Sequence, residues 1–184
     1  MNMNPYNKNP INQMRGAQNR AQGGTFEQII SASCIYYRDC GAAEIEKTPE
    51  PFKITRRIGS YKFEGHFEKV AQPDFKGTLI GGKAIVFEAK HTESDRILQN
   101  KVTAEQTAAL DRHQRMGAAC FVLVSLQMKQ YAFVPWESWK EMKRLFGHLY
   151  MNAKDLERYK VVFNGRIVLF LNGGGAKVYD GAKI

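Results

Sequence analysis

Cysteine is scarce in this 184-residue chain: Cys34, Cys40 and Cys120 are odd in number and form no C-x-x-C pair. That argues against a disulfide framework and against a structural zinc site. Long apolar runs are missing as well, and none approaches the length needed to cross a membrane. The first residues lack the apolar stretch of a secretory signal, so a cytoplasmic location with no membrane partner is expected. His66, His91, His113 and His148 form no H-x-x-x-H pair, and none is assigned to a metal. Acidic residues are the minority charge, with 18 Asp and Glu against 27 Lys and Arg, a formal net charge of +9. Such an excess suits a polyanionic partner but does not by itself identify one. What is present is ordinary for a globular protein: 43% hydrophobic and 24% charged residues predict a packed core in one domain with arms.

The most informative stretch is Pro73-Asp74-Phe75-Lys76-Gly77, followed by Gly81-Gly82-Lys83-Ala84-Ile85-Val86-Phe87-Glu88-Ala89-Lys90. It reads as a β-hairpin, with the glycines at 77, 81 and 82 marking the reversal and Asp74 returning beside Glu88. Alternation puts Glu88 and Lys90 on one face, after Ala84 and Val86, and Ile85 and Phe87 on the other. A strand apolar on both faces with a polar tip is a buried central strand. Two carboxylates at one point are hard oxygen ligands for Mg²⁺, with Mn²⁺ as the variant, and phosphate oxygens and waters complete such a shell. A metal held there lowers the pKa of a bound water, and Lys90 can orient that water or stabilise the transition state. An isolated E-x-K also occurs on solvated strand ends. The combination with P-D and a Gly-rich turn favours a metal-dependent phosphodiesterase, and the basic balance then points to nucleic acid.

In chain order, residues 1–24 carry Lys8, Arg15 and Arg20 and no acid, and they read as a disordered basic arm. Arg15 and Arg20 are DNA-contact candidates if the arm orders along a backbone; an inert tail is the alternative. A helix is expected from Thr25, where Thr25 and Gln28 make a capping-box pattern, to Gly41. Glu27 in its first turn suits the helix dipole or supplies a third acid near the metal. Residues 42–47 read as a short strand. Residues 52–69 mix Lys53, Arg56, Arg57 and Lys62 with aromatic and aliphatic residues, the composition of a DNA-contacting projection; the alternative is a hairpin packed on the core. His91 to Lys101 reads as a mobile loop. A second helix from Thr103 to Met116 has its own capping box, in which Gln106 either caps or reaches toward a phosphate or a water. Strands at 118–126 and 130–134, a helix from Pro135-Trp136 to Phe146, and a hairpin at 161–170 with an Asn-Gly type I′ turn follow. Residues 171–184 read as a flexible tail.

This order, helix, strand, P-D hairpin ending in E-x-K, helix, strand, is similar to the PD-(D/E)xK nuclease core. Within it the chain resembles the RecU-type Holliday junction resolvases of Gram-positive bacteria and their phages. The resemblance is carried by N-R-A-Q-G-G-T-F-E (19–27), K-T-P-E-P-F-K-I (47–54), F-E-K-V-A-Q-P-D-F-K-G (67–77), F-E-A-K-H-T (87–92) and Gln106. It implies an α/β fold with a restriction-endonuclease-like core, a mixed sheet flanked by helices, and a protruding stalk at about 53–68 in a nuclease domain spanning 25–170. It also implies a homodimeric, Mg²⁺-dependent endonuclease that nicks four-way DNA junctions symmetrically. On that resemblance Asp74 and Glu88 bind metal, Lys90 assists the water, Glu27 and Gln106 occupy matching helix positions, and Arg56 and Arg57 contact DNA. The chain departs from the family's pattern in having Pro73 where a hydroxylated residue is usual before the aspartate. Competing readings are another nuclease on the same core and a non-catalytic junction-binding accessory.

Overall fold

The structure, a computed structural model, describes the backbone of residues 10–67 and 72–172 and the side chains of 21–66 and 72–172. It opens with helix α1 (Pro10–Asp39) and strand β1 (Ala43–Lys47), then β2 (Phe52–Arg57) and β3 (Phe63–Phe67). Next come β4 (Phe75–Leu79), β5 (Ala84–Thr92), β6 (Arg96–Leu98), a 3₁₀ turn at Gln99–Lys101 and helix α2 (Ala104–Arg115). The chain continues through β7 (Ala119–Leu126), β8 (Gln130–Pro135), helices α3 (Trp136–Lys140) and α4 (Met142–Phe146), and β9 (Tyr150–Asn152). It closes with α5 (Ala153–Leu156), β10 (Lys160–Phe163) and β11 (Val168–Leu169).

Seven strands form the main sheet in the order β1, β4, β5, β7, β8, β10, β11. All neighbours are antiparallel except β5 and β7, which run parallel and are joined through α2. This is the expected mixed sheet flanked by helices. One core lies between the sheet and α1, where Phe26, Ile30, Cys34 and Tyr37 face Phe75, Phe87 and Phe133. The other lies under α2, α3 and α5, with Val86, Val122, Val124, Leu110, Trp136 and Trp139. Burying both faces explains why β5 and β7 are nearly continuous apolar runs.

Helix α1 ends as expected. Gly41 adopts φ +67°, its N–H reaches Arg38 O at 2.9 Å and the Ala42 N–H reaches Tyr37 O at 2.8 Å, a Schellman closure. Its start differs from the expectation: the helix already runs from Pro10, so the arm is not disordered over residues 10–24. Pro10 suits a first helical turn and Gln, Arg, Met and Ala are good helix formers. Thr25 is therefore an interior residue whose hydroxyl donates to Ala21 O at 3.1 Å. Residues 1–9 and 173–184, the ends of the expected arm and tail, lie outside the described residues.

Three further expectations are corrected. The stretch from His91 to Lys101 is ordered: β5 runs on to Thr92, and β6 pairs with β9 around Ile97, which is fully buried. The helix expected from Trp136 to Phe146 is two short helices, broken at Glu141 where ψ turns to +16°. In the last hairpin Gly165 has φ +93° but Asn164 does not share a positive φ, so no type I′ turn forms. Instead Asn164 Oδ1 accepts from the N–H groups of Arg166 and Ile167.

Gly77 lies inside β4 rather than at the reversal, which is made by Gly81 and Gly82, both at φ +86°. A Cβ on Gly77 would stand 2.0 Å from Glu44 O, so only glycine lets β1 come close to β4. The β2–β3 hairpin stands apart as its own two-stranded sheet. Every residue of β2 is exposed, and so are Ile58, Phe63 and the 95% exposed Tyr61 near the turn, which rules out packing of this hairpin on the core.

Candidate active site

The ladder between β4 and β5 sets Phe75 opposite Phe87, their rings stacked at 5.0 Å on the α1 side. One residue away on each strand, Asp74 and Glu88 turn to the opposite face. Asp74 Oδ2 accepts from the Ala89 N–H at 2.9 Å, which pins the aspartate to the strand that carries the glutamate. Lys90, two residues after Glu88 on the same face, donates to Glu88 Oε2 at 2.8 Å and lies 3.5 Å from Asp74 Oδ2. The two carboxylates and the lysine thus meet at the open end of the hairpin, away from the Gly81-Gly82 turn.

Gln106 joins them from α2. Its Nε2 donates to Glu88 Oε2 at 2.5 Å, while its Oε1 accepts from the Thr103 N–H at 3.1 Å. Thr103 Oγ1 accepts from the Gln106 N–H, so the capping box is complete. The cap expected of Gln106 is formed, and the other end of its amide meets the Glu88 carboxylate.

Glu88 is fully buried, and its Oε1 has no hydrogen-bond partner. Burial, with the Asp74 charge beside it, pushes its carboxyl up to about 7, and Lys90 only partly offsets this. Buried polar atoms are almost always bonded, so an orphaned carboxylate oxygen next to a second carboxylate is a donor set that suits a cation. Among the described residues no three His, Cys, Asp or Glu side chains gather into a metal cage. Two carboxylates fit a hard, water-rich ion such as Mg²⁺, which is held by one or two carboxylates plus phosphate rather than by an all-protein cage.

Glu27 does not join this cluster. It pairs with Lys47 at the end of β1, at 2.5 Å. Lys47 is a residue that sequence reasoning misses: Glu27 foremost, then the charges of Asp74 and Glu50, hold its ammonium above the usual lysine range. The available signal is the alternation of β1, which puts Lys47 on the same face as the buried Ile45, toward α1. His91 is a second such residue. Its Nδ1 lies 3.2 Å from Ser125 Oγ and its Nε2 2.7 Å from Glu93 Oε1, so it ties the end of β5 to β7. Lys53, Arg56, Arg57 and Lys62 lie on the β2–β3 hairpin, and Arg15 and Arg20 on α1, the side chains of these last two outside the described residues.

Fold and site together define an α/β protein whose central hairpin carries a carboxylate pair and a lysine at its open end, where α2 adds a glutamine. The family model described as Recombination protein U matches residues 21–169. The chain belongs to the RecU family. Relatives include the Holliday junction resolvase RecU of Geobacillus sp. (strain WCH70), 30% identical over 152 residues, covering 75% of this chain and 73% of that one. The protein of the same description from Streptococcus pneumoniae (strain Hungary19A-6) is 29% identical over 130 residues, covering 67% of this chain and 64% of its own. The chain thus spans 73% and 64% of the length of these two relatives. Among solved structures, the Archaeoglobus fulgidus Holliday junction resolvase Hjc aligns with TM-score 0.44 and 14% identity, over 72% of this chain and 90% of that one.

Proposed function

We propose that this protein is a divalent-metal-dependent endonuclease that resolves four-way DNA junctions in the cytoplasm, acting as a homodimer. The observation that carries the reading is the Asp74–Glu88–Lys90 cluster, with its orphaned Glu88 oxygen, in a chain of the RecU family whose curated relatives bear the resolvase name. Asp74 and Glu88 would hold the ion, Mg²⁺ or Mn²⁺. When bound, it would acidify a water and neutralise phosphate charge. Lys90, anchored by Glu88, holds a proton donor beside the reacting phosphate. Gln106 keeps the Glu88 carboxylate from rotating by holding Oε2, which would leave Oε1 available to the ion.

The β2–β3 hairpin supplies the second element. Its cations, Lys53, Arg56, Arg57 and Lys62, suit DNA phosphates, and exposed Phe63 and Tyr61 suit unstacked bases at a junction centre. Arg15 and Arg20 on α1 would add backbone contacts. A symmetric dimer would set two such sites against the two-fold symmetry of a junction. Asp74→Asn tests the assignment: cleavage is lost while the junction is still bound. Cleavage retained by this variant would remove Asp74 from the site.

A further inference from the structure

The Asp74–Glu88 pair is part of a longer row. Lys47 lies opposite Phe75, and the β1–β4 ladder continues one residue further, because the Thr48 N–H donates to Asp74 O at 2.8 Å. Thr48, Asp74 and Glu88 therefore stand side by side on three neighbouring chain segments. Alternation fixes their face. Phe75 and Phe87 pack toward α1 and Lys47 reaches Glu27 on α1, so the residues next to them in sequence turn to the other side of the sheet. Cross-strand neighbours in such a row have Cβ atoms about 4.5–5.5 Å apart.

Thr48 is 9% exposed, and its Oγ1 is buried without a hydrogen-bond partner. A hydroxyl kept only for packing would be bonded to the chain, because an unpaired buried donor is costly. This orphan stands beside Asp74, whose row neighbour Glu88 holds another orphan, the oxygen that suits the metal. The two differ in chemistry. A carboxylate oxygen accepts a cation, whereas a threonine hydroxyl has a proton to donate and meets an anion's oxygen. Lys90 is already engaged with both carboxylates from the β5 side. The β1 side of the row would otherwise present the phosphate with no donor from the row itself.

We infer that Thr48 is a further catalytic residue, whose hydroxyl donates to a non-bridging oxygen of the phosphodiester held at Asp74 and Glu88. The inference rests on the endonuclease reading and names a new residue toward its substrate. The hydroxyl stays unpaired in the free protein and finds its partner only when the phosphate is in place. Its bond is therefore made during the reaction, where charge on that oxygen grows.

Thr48→Val and Thr48→Ser in the full chain test this, with cleavage in Mg²⁺, junction binding in EDTA and thermal melting measured on each. Val should lower kcat roughly 100–1,000-fold, the range for losing one such donor. Binding should stay within about twofold, and Tm should be unchanged or higher, because an unpaired buried hydroxyl has become a methyl. Ser should recover most of the activity. A Val variant that cuts like the wild type overturns the inference. So does a Val variant that melts lower and loses activity only in step with folded protein. Wild-type protein inert on junction and duplex alike would instead refute the endonuclease reading and the inference with it.

Discussion

The side-chain amide of Gln106 holds two things at once: the Thr103 N–H at the start of α2 and Glu88 Oε2 in the candidate active site. Both bonds are satisfied by one orientation of the amide, so the frame of the helix sets the position of the carboxylate.

Removing that link should cost activity more than stability. Gln106→Ala loses half of a capping box, about 1 kcal/mol or less, and releases Glu88 to rotate. Metal affinity or cleavage rate should fall about 10–100-fold, the range for removing such an outer partner of a metal ligand. Gln106→Glu keeps the cap acceptor but sets a like charge against Glu88, and should be as poor or worse. Metal titration of both variants, followed by their cleavage rates, checks the ordering.

Glu88 makes the metal-free protein sensitive to pH in a defined direction. Its carboxyl is raised from the ordinary value of 4.5 to about 7, chiefly by burial. The folded state then binds a proton more tightly than the unfolded one, so the stability present below about 4.5 is lost as pH rises toward 7. Glu88→Gln keeps the shape without the charge. In EDTA its melting temperature should match the wild type near pH 5 and exceed it near pH 8. Mg²⁺ should raise the wild-type Tm at pH 8 and leave the variant unmoved. A variant that melts below wild type at pH 8 without metal would contradict this.

The exposed hairpin predicts a salt-dependent binding defect without loss of fold. Arg56→Ala, Arg57→Ala and Lys62→Ala each lie on exposed positions, where substitutions usually move stability by about 0.5 kcal/mol or less. Each should weaken junction binding and flatten the slope of log affinity against log salt by about one, as expected when a cation that neutralises one phosphate is removed. Activity on linear duplex, measured beside it, should change less. Equal losses on both DNAs would place the hairpin outside junction recognition.

The β4–β5 hairpin is legible in the sequence because its signals are local. Alternation along 84–90 and the Gly81-Gly82 turn fix which side chains share a face, and the register Phe75–Phe87 then brings Asp74 to Glu88. The capping box at Thr103 is legible for the same reason. What stays hidden depends on distant partners. β6 has three residues and exists because Leu98 meets Tyr150 across the intervening helices and strands. The place of Glu27 in its helix suggests a role at the metal; its Lys47 partner comes from a strand whose position only the sheet decides. Thr25 and Gln28 mimic a helix start inside a longer helix, because a capping pattern does not reveal whether the chain before it is helical. Thr48 carries no motif, and only the ladder places it beside Asp74.

The most direct test is to incubate the purified full chain with a labelled immobile four-way junction and a matched linear duplex, with Mg²⁺ and with EDTA. The account predicts paired nicks in opposing strands of the junction, dependent on Mg²⁺, with the duplex left intact. Equal cutting of both DNAs would contradict junction selectivity, and binding of the junction with no cutting in Mg²⁺ would contradict the active site itself.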